Sequence, residues 1–497
     1  MRAAEAVLRF REGVARFLKA DSIVDDARTL ESYNRDISFV KGGRARLLVY
    51  PQNREDVRGI VRAASKNKVP LVPVSSGPPH YRGDTVPSAD AVIVDFSRMK
   101  RIIRIDPVSR YAVLEPGVTY GQLVPELRRQ GFKLVMPLLP RANKSVVTSR
   151  LEREPGLIPK YQYDYLDPLL TLEVVYGTGD DFRTGSASGP GTPETLKADG
   201  VNPWGPGVLD FFRFVSGAQG TMGLVTRAAT KVEVLPSLEK LFFITSGDVR
   251  PLVEAMNRLL RKRVVDECLA LNGANLAAIL AESLPQDFAE LKKDLPPWTL
   301  LVGLAGYQRR PEERIAIMER YLREICGELG LKARPSLPGG GGREKKVTEL
   351  LSGPWRSEPY WKLRQKDACH DIFFLTTLSK VPEFVGVMRG AAERHGYPFE
   401  DIGGYLQPMV QGRGCHVEFS IPCGKDETAR VKDFFIEASE TLINEGAFFS
   451  RPYGPWADMV YGRDGEGAAA LKKLKAIFDP DNILNPGRLC FREGGRG

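Results

Sequence analysis

The chain has 497 residues, 42% apolar and 27% charged, with a net charge of +9. That composition excludes a disordered tail, a collagen-like repeat and a coiled coil, and the length allows several domains. Six cysteines, none spaced C-x-x-C, exclude a disulfide scaffold and a zinc ribbon, and predict reduced, buried thiols in a cytoplasmic protein.

In chain order, residues 1–20 predict a packed N-terminal helix, with Leu8, Phe10, Val14, Phe17 and Leu18 on one face. Arg9, Arg11 and Glu12 interrupt any signal-peptide apolar core. No window reaches the roughly 18 uncharged apolar residues of a membrane span. From Leu47 short apolar runs alternate with helical patterns: strands near 47–51, 71–74, 91–95, 102–105 and 111–115, and helices over 56–66 and 121–130. Such alternation predicts an α/β or α+β unit that continues through 170–176 and 223–235. Longer helices follow at 249–263 and 312–329, with a strand at 300–305 between them. The run Pro338-Gly-Gly-Gly-Gly342 reads as a mobile loop or lid. A last helix over 471–478 is stopped by Pro480, before a turn at Pro486-Gly487.

The surplus of positive charge raises nucleic-acid binding, which calls for a basic stripe. The two densest runs, Arg258–Arg263 and Arg343–Lys346, carry no interleaved aromatic residues. They read as solvated helix faces or turns. The functional alternative is a surface that attracts an anionic cofactor or an acidic partner.

Two segments suit a phosphate-bearing ligand. Pro73-Val-Ser-Ser-Gly-Pro-Pro-His-Tyr-Arg-Gly-Asp84 is a small-residue loop after a strand, although Pro78 and Pro79 lack N–H donors. Ser216-Gly-Ala-Gln-Gly-Thr-Met-Gly-Leu-Val-Thr226 is spaced G-x-x-G-x-x-G, which differs from the dinucleotide fingerprint G-x-G-x-x-G, and a plain tight turn reads equally well. Further on, Gln411-Gly-Arg-Gly-Cys-His-Val-Glu-Phe419 enters a strand in which alternation puts His416 and Glu418 on one face. That pair suits acid–base work or metal binding, or is a satisfied polar strand face.

Together the segments Leu48-Val-Tyr-Pro51, Pro70–Gly77, Val94–Ile102, Ala112-Val-Leu-Glu-Pro-Gly-Val-Thr-Tyr-Gly-Gln122, Gly217–Thr226 and Phe478–Arg488 resemble the vanillyl-alcohol oxidase / p-cresol methylhydroxylase family of flavoproteins. The resemblance covers about 45–235 and 440–490. It implies an α+β fold class: a PCMH-type FAD-binding domain of two α/β subdomains, plus an α+β cap domain with an antiparallel sheet flanked by helices. The implied division is 1–44, an N-terminal helical segment; 45–236, the FAD-binding domain; 237–450, the substrate cap; and 451–497, a C-terminal segment returning to the FAD domain.

The resemblance further implies FAD as cofactor, with Ser76, Gly77, His80, Gly83, Gly217, Gly220, Thr226 and Arg488 as cofactor-binding positions. His370 and His80 are the candidates for covalent flavin attachment. The family's Gly-rich stretch is replaced here by Lys144-Ser-Val-Val-Thr-Ser-Arg-Leu-Glu-Arg-Glu154. The metal-binding His-x-Gly-Asp-Gly-Asn-x-His stretch of 2-hydroxy-acid-oxidising relatives is absent, which resembles the phenol-oxidising branch and implies no metal. In that branch a Tyr-Arg pair binds the phenolate. Arg451 matches the arginine, Ser450 stands in place of the tyrosine, and Tyr453 is the nearby substitute.

The catalytic candidates are therefore Arg451, Tyr453, His416 and Glu418. The implied activity is hydride removal from an activated C–H or CH–OH of a small anionic substrate, phenolic or carboxylate. Electrons pass to oxygen or, favoured, to a separate electron-acceptor protein, in a homo- or hetero-oligomer. The alternatives are a D-lactate/glycolate-type 2-hydroxy-acid dehydrogenase and a non-catalytic flavin electron-transfer subunit.

Overall fold

The computed structural model describes residues 2–160, 167–205, 207 and 210–492. Seventeen strands among them form three sheets. The first has the order β1-β2-β4-β3, from β1 (Ile23–Val24), β2 (Ala45–Val49), β3 (Leu71–Val74) and β4 (Ala91–Asp95). β2, β3 and β4 run parallel, and β1 pairs antiparallel with β2. The crossover helix Arg54–Asn67 buries Val57, Ile60, Val61 and Ala64, an i, i+3, i+4, i+7 stripe. The Asn53 side chain caps it by accepting from Asp56 N at 2.9 Å. The N-terminal helix ends at Val14. Phe10, Val14 and Leu18, spaced by four, join this core, while Leu8 and Phe17 fall off the stripe and are exposed.

The second sheet is antiparallel and follows the order β5-β6-β10-β8-β9, with β7 paired to β10. Its strands are β5 (Ile102–Asp106), β6 (Tyr111–Leu114), β7 (Phe132–Leu134), β8 (Leu169–Val175), β9 (Asp181–Arg183) and β10 (Leu224–Val234). The helices Tyr120–Arg129 and Val146–Leu151 pack on it through Leu123, Leu127, Val146 and Val147.

The third sheet has seven strands in the order β14-β11-β13-β12-β16-β17-β15. They are β11 (Leu238–Ser246), β12 (Glu267–Asn272), β13 (Trp298–Gly306), β14 (Ala333–Arg334), β15 (Ala368–Thr376), β16 (Gly403–Met409) and β17 (Gly414–Cys423). One face packs on the helices Val249–Arg261, Pro311–Glu328, Val381–Arg394 and Thr428–Asn444, burying Met256, Leu322, Phe384 and Phe434 against Ile372, Phe374, Val417, Phe419 and Ile421. Strand alternation turns His416, Glu418 and Ser420 to the opposite face. The Pro338–Gly342 run is a turn, exposed at Gly339, Gly341 and Gly342, that touches the end of the helix Gln286–Asp294. A Cβ on Gly339 would lie 2.1 Å from Asp294 O, and Arg343 Nη2 meets Asp287 Oδ1 at 2.8 Å.

The chain end returns to the first sheet. Leu71 N donates to Ile483 O at 2.7 Å and Asn485 N to Leu71 O at 2.8 Å, so residues 483–485 extend the β3 edge. The buried Lys475 ammonium ties the tail to Asp479, to Leu484 O and to Thr221 O of the turn before β10. Among the described residues no helix is long and apolar enough to cross a membrane.

Candidate active site

A cleft runs from the end of β3, past residues 137–155 and the turn 219–225, to the inner face of the third sheet. At its first end the loop after β3 is stitched to the next segment. Ser145 N donates to Ser76 Oγ at 2.9 Å, Gly77 N to Asn143 O at 3.4 Å, and the Ser75 and Thr148 hydroxyls bond each other. Gly83 has φ +78° and donates its N–H to Asp36 Oδ2.

The turn Gly217–Gly220 crosses below, with φ +78° at Gly217 and +72° at Gly220. A Cβ on Gly220 would lie 2.3 Å from Pro73 Cγ, so this turn closes on the β3 loop only because residue 220 lacks a side chain. Asn485 Nδ2 fastens the tail to Asp84 O and Gln219 O.

Of the predicted cofactor positions, Ser76, His80 and Gly220 line the cleft, and Gly77, Gly83 and Gly217 shape the loops that do. Arg488 is buried with Nε and Nη2 unpartnered. Burial and the Arg141 charge lower the His80 pKa to about 4, so this imidazole is neutral.

Two predicted positions fall elsewhere. Thr226 donates its hydroxyl to Glu173 Oε1 at 2.8 Å, on the sheet face turned away from the cleft. His370 is paired with Ile421 on the helix-facing side of the third sheet, and its ring stacks on Phe39 with centroids 3.8 Å apart. The odd–even alternation that brings Asp371 into the cleft turns His370 out of it.

At the other end Arg451, Tyr453, His416 and Glu418 line one cavity. Arg451 is buried, donates Nη1 to Glu152 O at 3.2 Å, and lies 4.2 Å from the Phe373 ring centroid. Burial and the nearby Glu152 push the Tyr453 hydroxyl far up, so it stays protonated. His416 is 1% exposed, and burial lowers its pKa to about 4. Its Nε2 lies 3.5 Å from Glu418 Oε2, off the axis of a hydrogen bond, which leaves both ring nitrogens unpartnered.

Burial pushes the Glu418 carboxyl up. The Lys362 ammonium, at 2.5 Å, and His416 together outweigh that and hold it well below the usual range. Lys362 also binds Asp371 Oδ2 at 2.6 Å, and its own pKa is raised because the two carboxylates overcome its burial.

A second ionic cluster forms the adjoining wall. Arg82 and Lys144 each contact both Glu152 and Glu154, at 2.7–2.9 Å. Arg82 lies 5.2 Å from the ring centroids of both Phe373 and Tyr453. Sequence reading missed this square and Lys362. The only signal was the charged run Lys144–Glu154, and nothing in the sequence placed Lys362 beside β15 and β17. Among the described residues no group of three His, Cys, Asp or Glu side chains is disposed to hold a metal ion.

A glycine-shaped dinucleotide cradle opening into a cavity with cationic, phenolic and imidazole groups defines a flavin-dependent oxidoreductase. The buried Nε and Nη2 of Arg488, which lack a partner, suit an anionic dinucleotide such as FAD. Residues 45–147 match the FAD binding domain model, and residues 374–489 the model of the FAD linked oxidases, C-terminal domain. The two matches mark the chain as an FAD-linked oxidase or dehydrogenase, similar to the vanillyl-alcohol oxidase / p-cresol methylhydroxylase type.

A glycolate oxidase subunit of Bacillus subtilis is 25% identical over 90% of this chain and 89% of its own length. The flavoprotein subunit of 4-cresol dehydrogenase from Pseudomonas putida is 23% identical over 97% of this chain and 95% of its own. The fold is that of p-cresol methylhydroxylase, whose substrate-bound crystal structure superposes with a TM-score of 0.82 at 22% identity, over 99% of this chain and 97% of the other.

Proposed function

We propose that this FAD-linked oxidoreductase removes hydride from an activated C–H or CH–OH of a small anionic substrate, phenolic or carboxylate, and passes the electrons to a separate redox protein. The observation that carries the reading is the burial of Arg451 and Tyr453 in one cavity with the His416–Glu418 pair. Ser76, Gly220 and Arg488 would hold the dinucleotide, shaped by Gly77, Gly83 and Gly217. When bound, FAD supplies the two-electron acceptor that no side chain offers.

Arg451 pairs with the anionic oxygen of the substrate, and stacking on Phe373 fixes the plane of its fork. Tyr453 donates from a protonated hydroxyl. His416, neutral at physiological pH, accepts the proton of a substrate hydroxyl at a ring nitrogen, and ionised Glu418 stabilises the imidazolium that results. Lys362 keeps Glu418 ionised and in place. The packed aromatic cavity excludes water from the charge so formed.

The 4-cresol dehydrogenase relative is named as a flavoprotein subunit, which supports a partner protein as acceptor. The glycolate oxidase relative supports the second reading, a 2-hydroxy-acid dehydrogenase, since an arginine fork binds a carboxylate as well as a phenolate. Anaerobic addition of p-cresol, vanillyl alcohol, D-lactate and glycolate to the holoprotein separates the two. Loss of the visible flavin band with the phenols supports the first, and loss with the hydroxy acids alone supports the second.

A further inference from the structure

The cavity contains, besides Arg451, a second guanidinium, that of Arg141, with no carboxylate paired to it among the described residues. Arg82 and Lys144 share Glu152 and Glu154, and Lys362 is held between Asp371 and Glu418. Arg141 lines the same cavity and is only 7% exposed. Its Nη1 has no hydrogen-bond partner, and no carboxylate among the described residues forms an ion pair with it. A buried cation without a counter-charge is costly and persists where a ligand supplies the missing charge.

Arg141 is also held rigidly. It bridges Trp355, Ala142 N donates to Trp355 O, and Trp355 N donates to Pro140 O, both at 2.8 Å. The guanidinium lies 5.4 Å from the centroid of the Tyr81 ring. The Tyr81 hydroxyl is itself buried without a partner, and burial keeps it protonated, so a second donor stands beside the fork.

Arg141 sits at the cap-side border of the dinucleotide cradle, beside Tyr81 of the β3 loop and close enough to His80 for its charge to act on that imidazole. The cradle is built from the β3 loop, Ser145 and the Gly217–Gly220 turn. Arg141 is hydrogen-bonded through its neighbours to residue 355, and Tyr81 packs edge-on against Tyr360, with centroids 6.0 Å apart, at the cap side. The walls there are aromatic: Tyr81, Tyr360, Trp361 and Tyr405.

We propose that Arg141 is a substrate-binding residue that pairs through its fork with a carboxylate, and that the substrate is an aromatic carboxylic acid rather than a simple alkylphenol. This rests on the reading of the cavity as the substrate site. It adds to Arg451 a second anion anchor and gives the donor beside it, Tyr81, a partner.

The test titrates the holoprotein with three ligands that have no oxidisable C–H, namely 4-hydroxybenzoate, benzoate and phenol, and reads the perturbation of the flavin spectrum. The expected result is 4-hydroxybenzoate at least about tenfold tighter than phenol, as a charge-assisted bidentate pair provides. Arg141→Met abolishes that advantage, leaves phenol affinity unchanged and retains a full complement of FAD, while Arg141→Lys keeps part of it. The proposal is overturned if wild-type protein binds 4-hydroxybenzoate no tighter than phenol. It is also overturned if Arg141→Met leaves the advantage intact, or if Arg141→Met and Arg141→Lys both fold but purify without flavin, which would make Arg141 a cofactor anchor. Arg451→Met is the separate arm: phenol affinity unaffected by it contradicts the role of Arg451 and leaves that of Arg141 standing.

Discussion

His416 sits in the cavity as a neutral imidazole because burial opposes its charge more strongly than Glu418 supports it. An unfolded chain takes up a proton at this residue as pH falls below 6.5, whereas the native ring stays neutral down to about 4. Stability from this site is therefore full above pH 6.5 and is lost as pH falls from 6.5 to 4. Between pH 7 and pH 5 the wild-type chain should lose ~2 kcal/mol that His416→Gln does not lose, as measured by denaturant unfolding at the two values. An equal loss in both proteins would contradict a buried neutral His416.

Lys362 makes a sharper case. Removing it leaves Asp371 and Glu418 buried side by side, so Lys362→Met should cost about 3–5 kcal/mol, seen as a lowered thermal midpoint. Arg451→Met should weaken binding of an anionic ligand by roughly ten- to a hundredfold, as loss of a charge-assisted hydrogen bond does. His416 and Glu418 were legible in the sequence because a strand has a period of two, which settles their shared face locally. Lys362 and the Arg82–Lys144–Glu152–Glu154 square were not. Their partners lie 8 to 72 residues away in the chain, and only the packed fold sets those pairings.

The same contrast governs whole elements. The helix Arg54–Asn67 was readable because its buried stripe and its cap lie within one short segment. The Gly217–Gly220 turn was readable as a turn, but its close approach to Pro73 is a tertiary fact. Gly220→Ala should therefore destabilise the protein by about 2 kcal/mol or more, from the left-handed backbone and the clash together, and should lower the flavin content of purified protein.

In strand β15 a single position decides which face a residue takes. A one-residue offset in a strand reverses the face, and His370 ends on the helix side against Phe39. His370→Phe should then keep the wild-type flavin content, with no change in the share of flavin released on acid precipitation. A shift of flavin from the protein pellet to the supernatant in that variant would contradict this placement.

At the scale of the molecule, the chain end completes the first sheet, so residues 45–236 and the tail act on one cofactor cradle while the seven-stranded sheet roofs the substrate end. We propose the division 1–44, 45–236, 237–450 and 451–497 on those contacts. Within the net charge of +9, the two densest basic runs have acidic partners. Arg258 of the first basic run pairs with Glu254 and Glu328, and Arg343 and Lys346 of the second pair with Asp287 and Glu282. Those runs are surfaces with acidic neighbours.

We propose that this cavity oxidises a small anionic substrate beside bound FAD. The most direct test is anaerobic mixing of the holoprotein with p-cresol, vanillyl alcohol, 4-hydroxymandelate, D-lactate and glycolate, following the visible flavin band. The account predicts rapid loss of that band with at least one of these compounds and a much slower loss in Arg451→Met. A fully flavinylated protein whose band persists with all five, or an Arg451→Met variant that is reduced as fast as wild type, would contradict it.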